Sequence, residues 1–191
     1  MVRDPPGSRR AVSEPPAGPD RAPLIITATL PPDLFAWADG LRRAHYPAER
    51  NVLPAHVTLF HALPPSVGPE LTRLLARLCG DHGPVPAEVC GLHDLGRGTA
   101  IALVSPGLLS LRERIAEHCH GLLTAQDQGV PRLHVTIQNK VTPAAARALQ
   151  EQVRGAVPHR RFAFAGLALH RYRGGPWEGV GHWSFRGKRG G

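Results

Sequence analysis

The chain has 191 residues, 42% of them hydrophobic and 20% charged, with a net charge of +8 at neutral pH. That length can bury a good core, and the balance is that of a globular fold rather than a disordered, collagen-like or disulfide-framework chain. No uninterrupted apolar run approaches the ~18 residues of a membrane span, so none is expected.

Of the 23 basic residues 21 are Arg, and Arg186, Lys188 and Arg189 lie in the last six positions. The remainder is mildly basic, which suits an anionic ligand. Cys79, Cys90 and Cys119 show no Cys-x-x-Cys spacing. A sparse, odd set of this kind predicts reduced thiols and a cytoplasmic setting.

In chain order, residues 1–23 are rich in Pro, Arg and Gly without an apolar h-region and read as a disordered leader. Residues 24–186 form the domain, and 187–191 are a basic tail. Residues 24–30 are a β-rich run ended by Pro31-Pro32. Asp33 is a plausible N-cap for a helix to about His45, with Leu34, Trp37, Ala38 and Leu41 on one face. A strand follows at roughly 54–62, stopped by Pro64-Pro65, then a helix from about Pro69 carrying Leu71, Leu74, Leu75 and Leu78. A strand near 85–93 closes this half.

The second half repeats the order. Residues 99–104 predict a strand ending in Ser105-Pro106, then a helix with Leu108, Leu111, Ile115 and Leu122 inside. Another strand surrounds His134, and Thr142-Pro143 starts a helix with Ala146, Leu149 and Val153 inward. The end reads as one hairpin: 161–171 alternates, Gly174-Gly175-Pro176 turns, and 179–186 returns.

Within this repeat the tripeptide His-Val-Thr occurs twice, at His56–Thr58 and His134–Thr136. Random order of a chain with 11 His, 14 Val and 8 Thr gives about 0.03 copies. In a strand, His and Thr at i and i+2 share one face while Val57 and Leu59, or Val135 and Ile137, face the core. The histidines are 78 positions apart, about one half-unit. The expected architecture is therefore α+β: a duplicated, two-lobed fold with two largely antiparallel sheets, outer helices and a central cleft. Two imidazoles and two hydroxyls facing that cleft are equipment for general acid–base work on a phosphate.

These paired strands in a duplicated α+β fold resemble the 2H phosphoesterase superfamily, which includes bacterial 2′-5′ RNA ligases and cyclic nucleotide phosphodiesterases. The tail at 171–178 resembles the final hairpin of a bacterial branch of it. The resemblance implies His56 and His134 as catalytic histidines, Thr58 and Thr136 as phosphate-binding hydroxyls, and no metal or other cofactor. It implies a partner that is an RNA end or nucleotide bearing a 2′,3′-cyclic phosphate or 2′-5′ linkage. Apart from the resemblance, no membrane partner is expected, and the sequence leaves the oligomeric state open, a monomer being the expectation. The activity would be cyclic phosphodiesterase hydrolysis in RNA processing; RNA 2′-5′ ligation and non-catalytic RNA binding are the alternatives. Many members carry an Arg shortly after the second motif, where this chain has Gln138-Asn139-Lys140. Alternation puts Gln138 on the His134 side, with Lys140 the nearby cation there.

Phe60 shares the predicted face of His56 and Thr58 and is a candidate for bordering a base, although a core role is common for such a residue. Tyr172 and Trp177 flank the terminal turn and are candidates for base stacking. His61 is expected to point away from the cleft and to be structural. His118-Cys119-His120 diverge at i,i+2 on a helix and predict no metal site. His45, His82, His93, His159, His170 and His182 show no partner pattern.

Overall fold

Strand β1 (Leu24–Thr29) forms where an apolar, β-branched run is bounded by prolines, and it becomes an inner strand of the first sheet. The computed structural model describes residues 21–187. Three residues assigned above to the leader, Arg21 to Pro23, fall within them. Ala22 is buried, and the Pro23 carbonyl accepts the Tyr172 N–H at 3.0 Å. The leader expectation otherwise lies outside the described residues, as does the tail beyond Gly187.

Helix α1 (Pro32–His45) begins one residue before Asp33, because Pro32 presets the φ of a first helical position. Asp33 instead accepts the Leu34 N–H at 2.8 Å within the first turn. Strand β2 (Val57–Leu63), helix α2 (Gly68–Asp81) and strand β3 (Val85–Asp94) follow. Then come β4 (Gly98–Val104), α3 (Pro106–His118), a short α4 (Ala125–Gln128), β5 (His134–Asn139) and α5 (Pro143–Val153). The Ser105 hydroxyl caps α3 by accepting the Leu108 N–H, and Thr142 caps α5 through Ala145. Leu122, expected on the inner side of α3, lies beyond its end and is 44% exposed.

The terminal segment departs from the sequence reading. Residues 161–171 alternate as one strand would, yet they form β6 (Arg160–Phe164) and β7 (Gly166–Arg171) in different sheets. Ala165 is the crossing point: its N–H donates to Thr29 and its carbonyl accepts from Phe185. Strand β8 (Glu178–Ser184) completes the chain.

Two four-stranded sheets result, ordered β2-β1-β7-β8 and β5-β4-β3-β6, with every pairing antiparallel. The order matches position by position: β1 with β4, β2 with β5, β7 with β3. Strand β3, which closes the first half in sequence, therefore belongs to the second half's sheet. Likewise β7, after the second half's last helix, returns to the first. The duplicated halves thus exchange strands. One continuous core joins both sheets, with Phe60 and Phe164 its largest fully buried side chains.

Candidate active site

Each His-Val-Thr copy sits on an edge strand, β2 or β5, and those two strands touch each other across the lobes. His56 immediately precedes β2 and His134 opens β5. Both rings are held alike. His56 Nδ1 lies 2.7 Å from the Pro54 carbonyl, and His134 Nδ1 lies 2.7 Å from the Arg132 carbonyl. A carbonyl only accepts, so each Nδ1 carries the hydrogen and each Nε2 is left for chemistry.

Both imidazoles are held below their ordinary range. Burial, with the charges of Arg42, His170 and His134 adding to it, pushes the His56 imidazole down to about 4 against the opposing pull of the Pro54 bond. His134 is lowered by burial first, then by the charges of His93 and His61. His56 is accordingly uncharged at neutral pH.

The threonines belong to the same face as their neighbours' small or polar side chains. Thr58 pairs with Thr27 and Thr136 with Ala100. Among the described residues no hydrogen bond engages either hydroxyl, so both can turn toward a ligand.

One residue past each threonine the strand bulges. Thr27 and Ile26 pair with Thr58 and Phe60, leaving Leu59 as the extra residue. Ala100 and Thr99 pair with Thr136 and Gln138, leaving Ile137. An inserted residue reverses the alternation beyond it. Phe60 is thereby turned into the core, 0% exposed, and cannot border a base. Gln138 is buried beside Thr99, whose hydroxyl reaches the Ala146 carbonyl of α5 at 3.3 Å, and so lies away from His134. Lys140 follows the end of β5 with φ 59° and is exposed, so strand alternation no longer assigns it to the His134 side.

Trp177 is brought to the site: its ring centroid is 4.7 Å from that of His56 and 5.4 Å from that of His170. Tyr172 is exposed and is held by its backbone N–H on Pro23, away from this ring cluster. Beside His56 opens a cavity of about 530 Å³, walled by Phe35, Leu53 and Trp177 and floored by Thr27, His170 and His182. His170 Nε2 is 2.9 Å from Thr27 Oγ1, and His182 Nε2 is 3.1 Å from Thr29 Oγ1. On the other lobe His93 packs against His134 at 5.7 Å between centroids.

Sequence reasoning missed His93, His170 and His182, which carry no copy of the tripeptide. His93 lies one strand beyond Ala100, and His170 lies one strand beyond Ile25. It also missed two buried arginines. Arg42 of α1 donates to Asn51 Oδ1, to the Leu53 carbonyl and, across the lobes, to the Thr136 carbonyl at 2.8 Å. Arg112 of α3 crosses in the opposite direction to the Leu59 carbonyl at 3.2 Å, its guanidinium 4.6 Å over Phe60. Each half's first helix thus braces the other half's motif strand.

His118, Cys119 and His120 do diverge, with Cys119 buried and both histidines exposed. Among the described residues no helix is long and apolar enough to cross a membrane.

Comparison with known proteins gives this arrangement relatives. Among solved structures, TT0787 of Thermus thermophilus shares 20% identity at a TM-score of 0.62, covering 87% of this chain and 100% of that one. A protein described as a phosphoesterase shares 16% at 0.59, over 86% and 98%. LigT of E. coli complexed with NADP+ shares 16% at 0.57, again over 86% and 98%. At these identities the likeness is one of fold. Among curated proteins none matches the sequence. The family model of the 2′-5′ RNA ligase superfamily matches residues 30–176. With most of its length matched and two His-Val-Thr strands meeting across exchanged lobes, the chain belongs to the 2′-5′ RNA ligase superfamily.

Proposed function

We propose that the protein is a metal-independent phosphoesterase of 2′,3′-cyclic phosphates or 2′-5′ linkages at RNA ends or in nucleotides. One observation carries the reading: two motif histidines, each with Nδ1 tied to the carbonyl two residues back and, among the described residues, no hydrogen bond at Nε2. Hydrolysis of a cyclic phosphate needs water to attack phosphorus in line with the departing ribose oxygen. Proton acceptor and donor must therefore stand on opposite sides, which one imidazole per lobe supplies.

His56, the more strongly depressed of the two, takes the proton from water through Nε2. His134 Nε2–H gives a proton to the ribose oxygen as its bond to phosphorus breaks. The hydroxyls of Thr58 and Thr136 donate to the non-bridging oxygens as charge builds there. The cavity beside His56 has the size of a nucleoside site, and Trp177 offers a face for the base, a contact worth ~1–3 kcal/mol in single strands. That LigT of E. coli is complexed with NADP+ agrees with a nucleotide as ligand. The unpaired thiols of Cys79, Cys90 and Cys119 fit a reducing cytoplasm.

The test is incubation of the pure protein with a 2′,3′-cyclic nucleotide in chelator. Ring opening is expected, with His56→Ala and His134→Ala each slower by about 10²–10⁴-fold. A His134→Ala protein at full rate would refute the mechanism. Adding a 5′-hydroxyl RNA to a cyclic-phosphate-ended RNA asks for the reverse reaction, and a 2′-5′ joined product would assign ligation. Tight binding without turnover of either would make the protein a binder.

A further inference from the structure

The bulge that buries Phe60 has a second effect on β2: the next side chain, His61, is turned back to the face of Thr58. The sequence places it opposite, as a structural residue. Its charge also acts on the His134 imidazole, and β2 touches β5, which carries that ring. The matching position on β5, 78 residues on, is the neutral Asn139. Lys140, the cation expected there, has left the strand.

His61 is held by a buried carboxylate. Asp127 of α4 is 1% exposed. Its oxygens accept the N–H of His61 at 2.9 and 3.0 Å and that of Ala62 at 3.0 Å. They also accept the Thr124 hydroxyl at 3.3 Å and, through Oδ1, His61 Nδ1 at 3.0 Å. These bonds keep the Asp127 carboxyl below its ordinary range against the opposing effect of burial, so it is ionised at neutral pH. Its main-chain neighbour is fixed too, since Arg112 donates to the Asp127 carbonyl.

A latch for the β2 edge needs only the two backbone N–H bonds, which any side chain at 61 would permit. The additional bond to Nδ1 does something else. It fixes which nitrogen carries the hydrogen and leaves Nε2 on a side chain that is 41% exposed. In its doubly protonated form this ring presents an N–H donor on the Thr58 face of β2, already oriented and paired with a buried negative charge.

We propose that His61, oriented by Asp127, is a third substrate-contacting imidazole that donates from Nε2 to a non-bridging phosphate oxygen on the His134 side of the cleft. The proposal rests on the phosphoesterase reading and supplies a side-chain donor where neither Gln138 nor Lys140 provides one.

Inorganic phosphate titrated into the full chain, followed by the ring ¹⁵N signals of the histidines, tests it independently of turnover. His61 Nε2 is expected to move together with His56 and His134. His61→Gln, which keeps both backbone bonds to Asp127, is expected to weaken phosphate binding by about tenfold or more at an unchanged denaturation midpoint. His61→Arg is expected to recover most of that loss, which a purely structural role for the ring would not allow. If phosphate moves His56 and His134 while His61 stays still and His61→Gln binds normally, the inference falls and the phosphoesterase reading stands. If phosphate moves none of the three, both fall.

Discussion

Protonation of single residues sets the expected pH behaviour. If His56 is the base it must be neutral, so kcat/KM is expected to fall on the acid side with a midpoint near 4. His134 as acid must be protonated, and its value is lowered from 6.5, so the alkaline limb should begin below that pH. The maximum is therefore expected between these limits. A profile still rising above pH 7 would contradict the assignment. Stability follows the same group. The folded chain binds fewer protons at His56 than the unfolded chain does between 6.5 and about 4. The stability this permits is whole above pH 6.5 and is lost as pH falls toward 4, by about 3 kcal/mol at most. Urea midpoints at pH 7 and 4.5 should converge more for the His56→Ala protein than for the parent. If the Thr58 and Thr136 hydroxyls donate to the reacting phosphate as proposed, Thr58→Val and Thr136→Val should each lower kcat by about 10²-fold with little change in stability.

The same scale shows what the sequence disclosed. The doubled tripeptide is so improbable by chance that four residues were legible without a structure. Phe60, Gln138 and Lys140 were misplaced because alternation was extended past Thr58 and Thr136, where each strand carries one residue more than its partner. An inserted residue has no signature in hydrophobicity when both neighbours become buried, as Leu59 with Phe60 and Ile137 with Gln138 do.

At the scale of elements, helix starts were readable because capping is local: Ser105 and Thr142 bond residues three positions away. The cross-lobe braces were not. Arg42 and Arg112 look like ordinary helix-surface arginines until the partner strand covers them. Removing Arg42 would strand the Thr136 and Leu53 carbonyls and loosen the segment that carries Thr136. Arg42→Met should cost about 2–3 kcal/mol in chemical denaturation and lower kcat more than it raises KM. Glycine matters at one further junction. A Cβ at Gly98 would lie 2.3 Å from the Gln138 carbonyl oxygen, so Gly98→Ala must push β4 and β5 apart beside the second bulge. A lower melting temperature is expected, without any change in the chemistry of His134.

For the whole molecule the exchanged strands dictate cooperativity. Neither sheet can form from one half alone, since β3 and β6 complete the second sheet and β7 and β8 the first. Calorimetry should show a single transition whose calorimetric and van't Hoff enthalpies agree; two resolved transitions would mean the lobes fold separately.

From the order of residues alone came the α+β class, the duplication, the helix starts and the four motif residues, all of which depend on patterns a few positions long. Sheet membership of β3, β6 and β7, the burial of Phe60, the braces at Arg42 and Arg112 and the turning of His61 to the face of Thr58 emerged with the folded chain. A period-two pattern reports that one face of a strand is buried, but not which strand lies beside it or where the pairing slips by a residue. Those are properties of hydrogen-bonded partners far apart along the chain, and they exist once both partners are in place.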